Sequence, residues 1–415
     1  MFIKQHLLNG LPVVMESLKN MRSVVLGIWV KVGSRNELSE KNGISHFLEH
    51  MFFKGTKKRS AKDIAFEIDS LGGDLNAFTS RESTTFYVKV LDEYLEKGCE
   101  LLSDVFLYST FPEEDIEKEK RIIKEEIKMI EDTPDDYIHD LFTQTIWGHS
   151  GLGQPVLGHR DTVRSFTKDD LLSHIRKYYG TQDIVISCAG NFDPEHLLFM
   201  LNKNLGNLRR GSEPERGAPP DFKSKLEVFR KELSEAHICL GVQGLSQASE
   251  ERYSLFVLNT ILGAGVSSRL FQEIREKRGL AYSIYSFIAS YFDTGVWGVY
   301  AGVSRKKVRE VLELILEEMN NLSDTLNEAE LQRAKNQLKG NIILGLESTS
   351  SRMSNIARQE IYYGRYYSPK EMMNKVDSVT FNQIKDLVSK LVKKENFSLT
   401  VYGPVNEEDL RGVLG

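Results

Sequence analysis

Three cysteines among 415 residues, Cys99, Cys188 and Cys239, are too few and too scattered for a disulfide framework or a thiolate metal site. Each stands among apolar neighbours, in "KGCELL", "VISCAG" and "HICLGV", and reads as a small buried hydrophobe. No apolar run approaches the roughly 20 residues that cross a bilayer, so no membrane partner is expected. The opening stretch, "MFIKQHLLNGLPVVMES", lacks the charged start, apolar run and small-residue site of a secretion signal. A cytoplasmic location is the expectation. An excess of one charge is lacking too: 54 Lys and Arg face 59 Asp and Glu, and a net −5 offers no basic surface to nucleic acid. Histidine is scarce after mid-chain, His237 being the last of nine.

Proline is also sparse, yet three of the ten collect in "RRGSEPERGAPPDFKSK", 209 to 225, a linker composition. We place a first domain at 1–210, a linker at 211–222 and a second domain at 223–415. On either side of the linker the same order of elements is written. Strand "SVVLGIWVKVGS" pairs with "HICLGVQGLS", and helix "NGISHFLEHMFF" with "RYSLFVLNTILG". A helix, a Gly-containing turn and β-rich alternation follow in each half, then "DEYLEKGCELLSDVFL" against "KKVREVLELILEEMNNL". A long charged helix comes next, 113–131 against 327–347, and each half ends on a helix and a strand. The chain therefore reads as a duplication of roughly 200 residues per copy, far longer than solenoid repeats. The expected class is α+β: two homologous domains, each a largely antiparallel β-sheet packed with α-helices. Alternation along several strands predicts one covered face per sheet.

The chemistry concentrates in "HFLEHMFFKGT", 46 to 56. A helix over 43–53 projects His46 and His50, four apart, from one face, the spacing at which two imidazoles bind one Zn2+. Glu49 reaches the same locale and can take a proton from an attacking water. The order H-x-x-E-H is the inverted zinc motif. A catalytic zinc needs a third protein ligand. The long acidic helix offers Glu119 and Glu126, seven apart and on nearly one face; spacing nominates the pair without choosing between them. Glu114, Glu117, Glu125 and Glu131 fall elsewhere and read as solvated. The second copy has no counterpart of the cluster, so only the first holds a metal site.

With these residues in place, the chain resembles the pitrilysin/insulinase family of zinc metallopeptidases. It is most similar to short two-domain members related to the mitochondrial processing peptidase β-subunit and bacterial processing proteases. The segment "EKEKRIIKEEI" resembles the family's third-ligand segment, which implies Glu126 as the third Zn2+ ligand and Glu119 as the carboxylate supporting the ligands. The resemblance implies an endopeptidase that hydrolyses peptides or unfolded polypeptides, with Glu49 as general base. "GGDLNAFTSRESTTFY", 72 to 87, resembles the substrate-binding edge strand, so Asn76, Ala77, Phe78 and Thr79 are expected to bind an extended peptide. An exposed edge after a Gly-Gly turn suits that role, because β-augmentation binds through the main chain. In the second copy, "REKRGLAYSIYS" resembles a segment that lends an arginine and a tyrosine, Arg275 and Tyr282 by spacing, with Arg278 left open beside them. The α-subunit's glycine-rich loop is replaced by "LGAGVSSRLF", which sides the chain with catalytic members. By analogy the two domains face each other across a chamber and a homodimer is expected. Rival readings are a non-catalytic peptide-binding subunit of the same fold, or a catalytic subunit needing a separate partner chain.

Overall fold

In chain order the first half carries strands β1 (Phe2–His6), β2 (Pro12–Ser17) and β3 (Ser23–Val30), then helices α1 (Ile44–Met51) and α2 (Ala61–Ser70). Strands β4 (Asp74–Thr79) and β5 (Thr84–Leu91) follow, then α3 (Leu95–Tyr108), α4 (Glu113–Glu131), α5 (Pro134–Trp147), α6 (Arg160–Ser165) and α7 (Lys168–Tyr178). Strand β6 (Ile184–Gly190) and helix α8 (Pro194–Leu205) complete it. The second half carries β7 (Leu226–Arg230), β8 (Ala236–Gln243), α9 (Arg252–Leu262), β9 (Ala281–Ser290) and β10 (Gly295–Val303). Helices α10 (Val308–Thr325), α11 (Glu328–Gly345), α12 (Thr349–Tyr363), α13 (Pro369–Asp377) and α14 (Phe381–Leu391) lead to β11 (Ser398–Gly403). The computed structural model describes residues 1–211 and 218–414. The middle of the expected linker, 212–217, lies outside the described residues.

Several helix starts follow from local chemistry. Ser60 caps α2 reciprocally with Asp63, Thr167 caps α7 with Asp170, and Thr380 caps α14 with Gln383. Proline opens α5 and α13, where its missing N–H has no partner to lose.

The two sheets repeat one topology, as the duplicated order predicts. The first runs β1-β2-β6-β3-β5-β4 and the second β7-β11-β8-β10-β9. Matching β2 to β7 aligns every later strand and leaves β1 as an addition. Pairing is antiparallel except at β2–β6 and β11–β7. The α+β class with largely antiparallel sheets therefore holds.

The expectation of one covered face does not hold for the central strands. Residues Leu26, Ile28 and Val30 of β3 pack on one side with Phe47, Leu48 and Met51 of α1. On the other side, Val25 and Trp29 pack with Met353, Ile356 and Ala357 of α12. In the second sheet, Leu240 and Val242 join one core, while Cys239 meets Ile138, Phe142 and Ile146 of α5 on the opposite face. A strand written as a continuous apolar run needs cover on both faces. All three cysteines are free and buried, as their apolar settings predict.

The covering helices come from the other half of the chain. One compact unit gathers Met1–Met129, Gln154–Gly217 and Gly345–Tyr366; the other gathers Ile130–Gly153, Ala218–Leu344 and Tyr367–Gly415. The segments 1–210 and 223–415 thus do not map one to one onto the units. Helices α5 and α12 occupy equivalent places in the repeat and are exchanged. Their apolar stripes fit the face each sheet leaves uncovered.

Candidate metal centre

Helix α1 begins at Gly43, whose φ of +94° belongs to the left-handed region. A Cβ there would also lie 2.6 Å from the Leu157 carbonyl oxygen, so glycine is required twice over. Glu37 closes the helix start. Its carboxylate accepts from the N–H groups of Gly43 (2.6 Å) and Ser45 (2.7 Å) and from the Asn42 side-chain amide (3.1 Å). Burial raises the Glu37 pKa despite those donors. The apolar face of α1 enters the core through Phe47, Leu48 and Met51, each without exposed surface. That packing gives the polar face a rigid base.

Helix α4 buries Ile116, Glu119, Ile123 and Ile127, a stripe at helical spacing with one carboxylate in it. Its polar residues meet those of α1. Glu126 lies 3.7 Å from His46 Nε2 through one oxygen and 3.6 Å from His50 Nε2 through the other. The two imidazole rings stand 4.7 Å apart. One ligand atom from each of His46, His50 and Glu126 lies within 4.8 Å of the others, the sole such trio found among the described residues.

Glu119 occupies a different place. One oxygen accepts from His50 Nδ1–H at 3.0 Å, and the other pairs with Lys54 Nζ at 2.6 Å. In the neutral ring the first bond selects the Nδ1–H tautomer and leaves the Nε2 lone pair on the side of Glu126. Spacing nominated Glu119 and Glu126 without separating them; the geometry separates them, because only Glu126 meets both Nε2 atoms.

Electrostatics sort the same groups. Burial, with His50 adding to it, lowers the His46 pKa to about 3, so that ring stays neutral. For His50, burial alone pulls down, but the hydrogen bond to Glu119 and the charges of Glu126, Glu119 and Glu49 outweigh it and the pKa rises. Burial opposes ionisation of Glu119, yet His50 and Lys54 win and its pKa falls. Burial raises Glu49 and Glu126. The donor set fits Zn2+: two imidazoles and one carboxylate converge, and donors about 2.0–2.1 Å from one ion stand roughly 3.4 Å from each other.

Glu49 projects beside this cluster, where its Oε2 accepts the Thr79 hydroxyl at 2.6 Å. Thr79 ends β4, an edge strand paired with β5 alone. Asn76 is exposed, Ala77 buried, and Phe78 meets Trp29 edge-on at 5.5 Å. Ala77 N–H donates to the Asn76 side-chain oxygen at 2.8 Å. The structure thus brings together His46, Glu49, His50, Glu119, Glu126 and Thr79, with Asn76, Ala77 and Phe78 along the same strand.

Arg275 and Tyr282 lie in the second unit. Arg275 sits on a π-helical turn, Phe271–Glu276, with its guanidinium 5.5 Å from the Tyr282 ring centre and 4.8 Å from that of Phe271. Tyr282 opens outward, 80% exposed, on β9. Arg278 is exposed. Arg275 and Tyr282 therefore lie beside each other within that unit.

Sequence reasoning missed Lys54, Glu37 and the Thr79–Glu49 bond. Lys54 lies three residues past the end of α1, so helical spacing gave no signal for it. Glu37 carried none either, because it reaches α1 from a preceding loop.

Residues 12–160 match the family described as insulinase, peptidase family M16, and residues 165–338 match the peptidase M16 inactive domain. An uncharacterized zinc protease of Bacillus subtilis is 41% identical over 95% of this chain and 97% of its own. A second uncharacterized zinc protease, from Streptomyces coelicolor, is 40% identical over 96% of this chain and 89% of its own. Among solved structures, a protease from Helicobacter pylori superposes with a TM-score of 0.88 at 23% identity, covering 97% of this chain and 99% of that one.

Proposed function

The chain belongs to peptidase family M16, the insulinase family, and on that premise we propose that it is a zinc-dependent endopeptidase acting on extended peptides. The observation that carries this reading is the meeting of His46, His50 and Glu126 within 4.8 Å, with Glu49 next to His50 on the same helix. Zinc held by those three residues supplies Lewis acidity, polarising a carbonyl and acidifying a nearby water.

The protein's own groups do the rest. The peptide adds to the free edge of β4 along Asn76, Ala77, Phe78 and Thr79, bound by its main chain. Glu49 takes a proton from the attacking water and delivers it to the amine nitrogen as the C–N bond breaks. Burial raises the Glu49 pKa against the opposing hydrogen bond from Thr79, which makes its carboxylate a stronger base than a free one. Thr79 holds one Glu49 oxygen and leaves the other for that transfer. Glu119 keeps His50 in its ligating tautomer. Arg275 and Tyr282 keep the role implied by resemblance, as donors to the peptide carbonyl and the oxyanion it becomes. Among the described residues no helix is long and apolar enough to cross a membrane.

The test is cleavage of an internally quenched peptide by the purified chain, with zinc content and mass in solution measured on the same sample. Activity is expected to vanish with a chelator and to return with Zn2+. Glu49→Gln should bind zinc at the parent level and lose cleavage by at least about a thousandfold. Full zinc loading with no cleavage by the single chain sinks the reading, and recovery on adding a second related chain points to a heteromeric enzyme. A mass of two chains supports the homodimer.

A further inference from the structure

The turn joining β4 to β5, residues 80–83, is tied from both sides. Within it, Ser80 N–H donates to the Ser83 carbonyl at 2.8 Å, and Ser80 Oγ accepts from the N–H of Ser83 at 3.0 Å. From outside, the N–H groups of Ser34 and Arg35 donate to the carbonyls of Ser80 (3.3 Å) and Arg81 (2.8 Å). This approach depends on glycine at 33, where a Cβ would fall 2.1 Å from the Ser80 oxygen.

Glu82 then anchors the turn. One carboxylate oxygen accepts from Arg35 Nη1 at 2.6 Å, and the other accepts the Tyr362 hydroxyl at 2.8 Å. Only 10% of the Glu82 side chain is exposed. Tyr362 belongs to α12, 280 residues further along the chain, beyond both segments that match the family. Thr79 stands immediately before this turn and donates to Glu49. A shift of one residue along β5 would turn Thr79 to the opposite face and take its hydroxyl from Glu49.

We infer that Glu82, clamped between Arg35 and Tyr362, is a positioning residue that fixes the peptide-binding edge strand and, through Thr79, the orientation of Glu49. The inference rests on the peptidase reading for its catalytic consequence. Its consequence for peptide binding stands separately. Helix α12, lent by the second half of the chain, thereby sets the geometry of a site whose ligands all come from the first half.

The experiment uses the full chain loaded with zinc and one quenched peptide. Glu82→Ala and Tyr362→Phe are compared with the parent for kcat, KM, zinc content and thermal midpoint. Each is also placed in the Glu49→Gln background, where the peptide's Kd is read by fluorescence anisotropy without turnover. Glu82→Ala is expected to raise Kd and KM about tenfold and to lower kcat about tenfold, at one zinc per chain. Tyr362→Phe, which removes one hydroxyl and serves if Glu82→Ala does not fold, should shift the same quantities about threefold. Glu82→Gln should restore much of the binding, because it keeps an acceptor for Tyr362. A part confined to stability would lower the thermal midpoint and leave Kd and KM per folded molecule unchanged. Kd and kcat of Tyr362→Phe within experimental error of the parent, at full zinc content, overturn the inference. A parent chain that binds zinc and peptide but never cleaves defeats the peptidase reading instead, and the Kd comparison still judges the clamp.

Discussion

His50 is held between two carboxylates with different tasks, and the proton it carries decides between them. Glu119 favours the protonated ring, which raises the His50 pKa above its ordinary 6.5. Zinc requires the neutral ring at Nε2. In metal-free protein, charged His50 with Glu119 therefore stabilises the fold fully below the unfolded pKa. That contribution is lost as pH rises through the raised folded value. His46, lowered to about 3, takes no part in this window. The gain in thermal midpoint on adding Zn2+ should accordingly widen as pH rises from the unfolded histidine value through the raised folded one, with the apparent zinc affinity climbing about tenfold per pH unit while His50 loses its proton. An affinity indifferent to pH across that range would show that His50 is not a ligand. Glu119→Gln removes the charge that holds Nδ1–H and leaves Lys54 without its partner. Its zinc affinity should fall about 10- to 100-fold by titration against a chelator of known strength.

At the scale of elements, the site is a meeting of two amphipathic helices, one edge strand and one borrowed helix. The borrowed helix α12 is held by Met353, 2% exposed, whose sulfur lies 3.3 Å from Trp29 Nε1, and by Arg352, paired with Glu16 at 2.7 Å. Met353→Ala should cost about 2–5 kcal/mol in urea unfolding, as large-to-small core changes do. It should also alter the fluorescence of Trp29. A loss below about 0.5 kcal/mol would mean that α12 does not seal this face. Much of this level was legible from residue spacing. The interval of seven between Glu119 and Glu126 did put both on the face of α4 that meets α1, because helical geometry is local. The Gly-Gly turn before "NAFT" did precede an edge strand. The cover on the far face of each sheet was not legible. An apolar stripe says that a helix is buried but not against which sheet, and α5 and α12 are copies of one pattern. The unbroken apolar run of "SVVLGIWV" did carry the missing hint, since a strand with one wet face alternates.

At the scale of the whole molecule, the exchange makes each sequence half structurally incomplete. The unit that holds His46, His50 and Glu126 includes Gly345–Tyr366, and the other unit includes Ile130–Gly153. Neither half can close its own sheet, because the face of β3 bearing Val25 and Trp29 is covered by α12 and the face of β8 bearing Cys239 by α5. An amphipathic helix removed from its sheet exposes several large apolar side chains on both surfaces, each worth about 1.5–3 kcal/mol of lost burial. Cutting the chain between the halves should therefore not part them. A protease site engineered into residues 212–217 and then cleaved should yield fragments that co-elute in size exclusion at the mass of the intact chain. They should separate only in denaturant, and cleavage of the quenched peptide should survive the nick. Fragments that elute apart under native conditions would show that the exchanged helices do not bind the halves together. The first fragment produced without 345–366 should expose the Trp29 face and aggregate. A synthetic peptide spanning those residues should restore its solubility, because it supplies Met353, Ile356 and Ala357 to the face they cover in the intact chain.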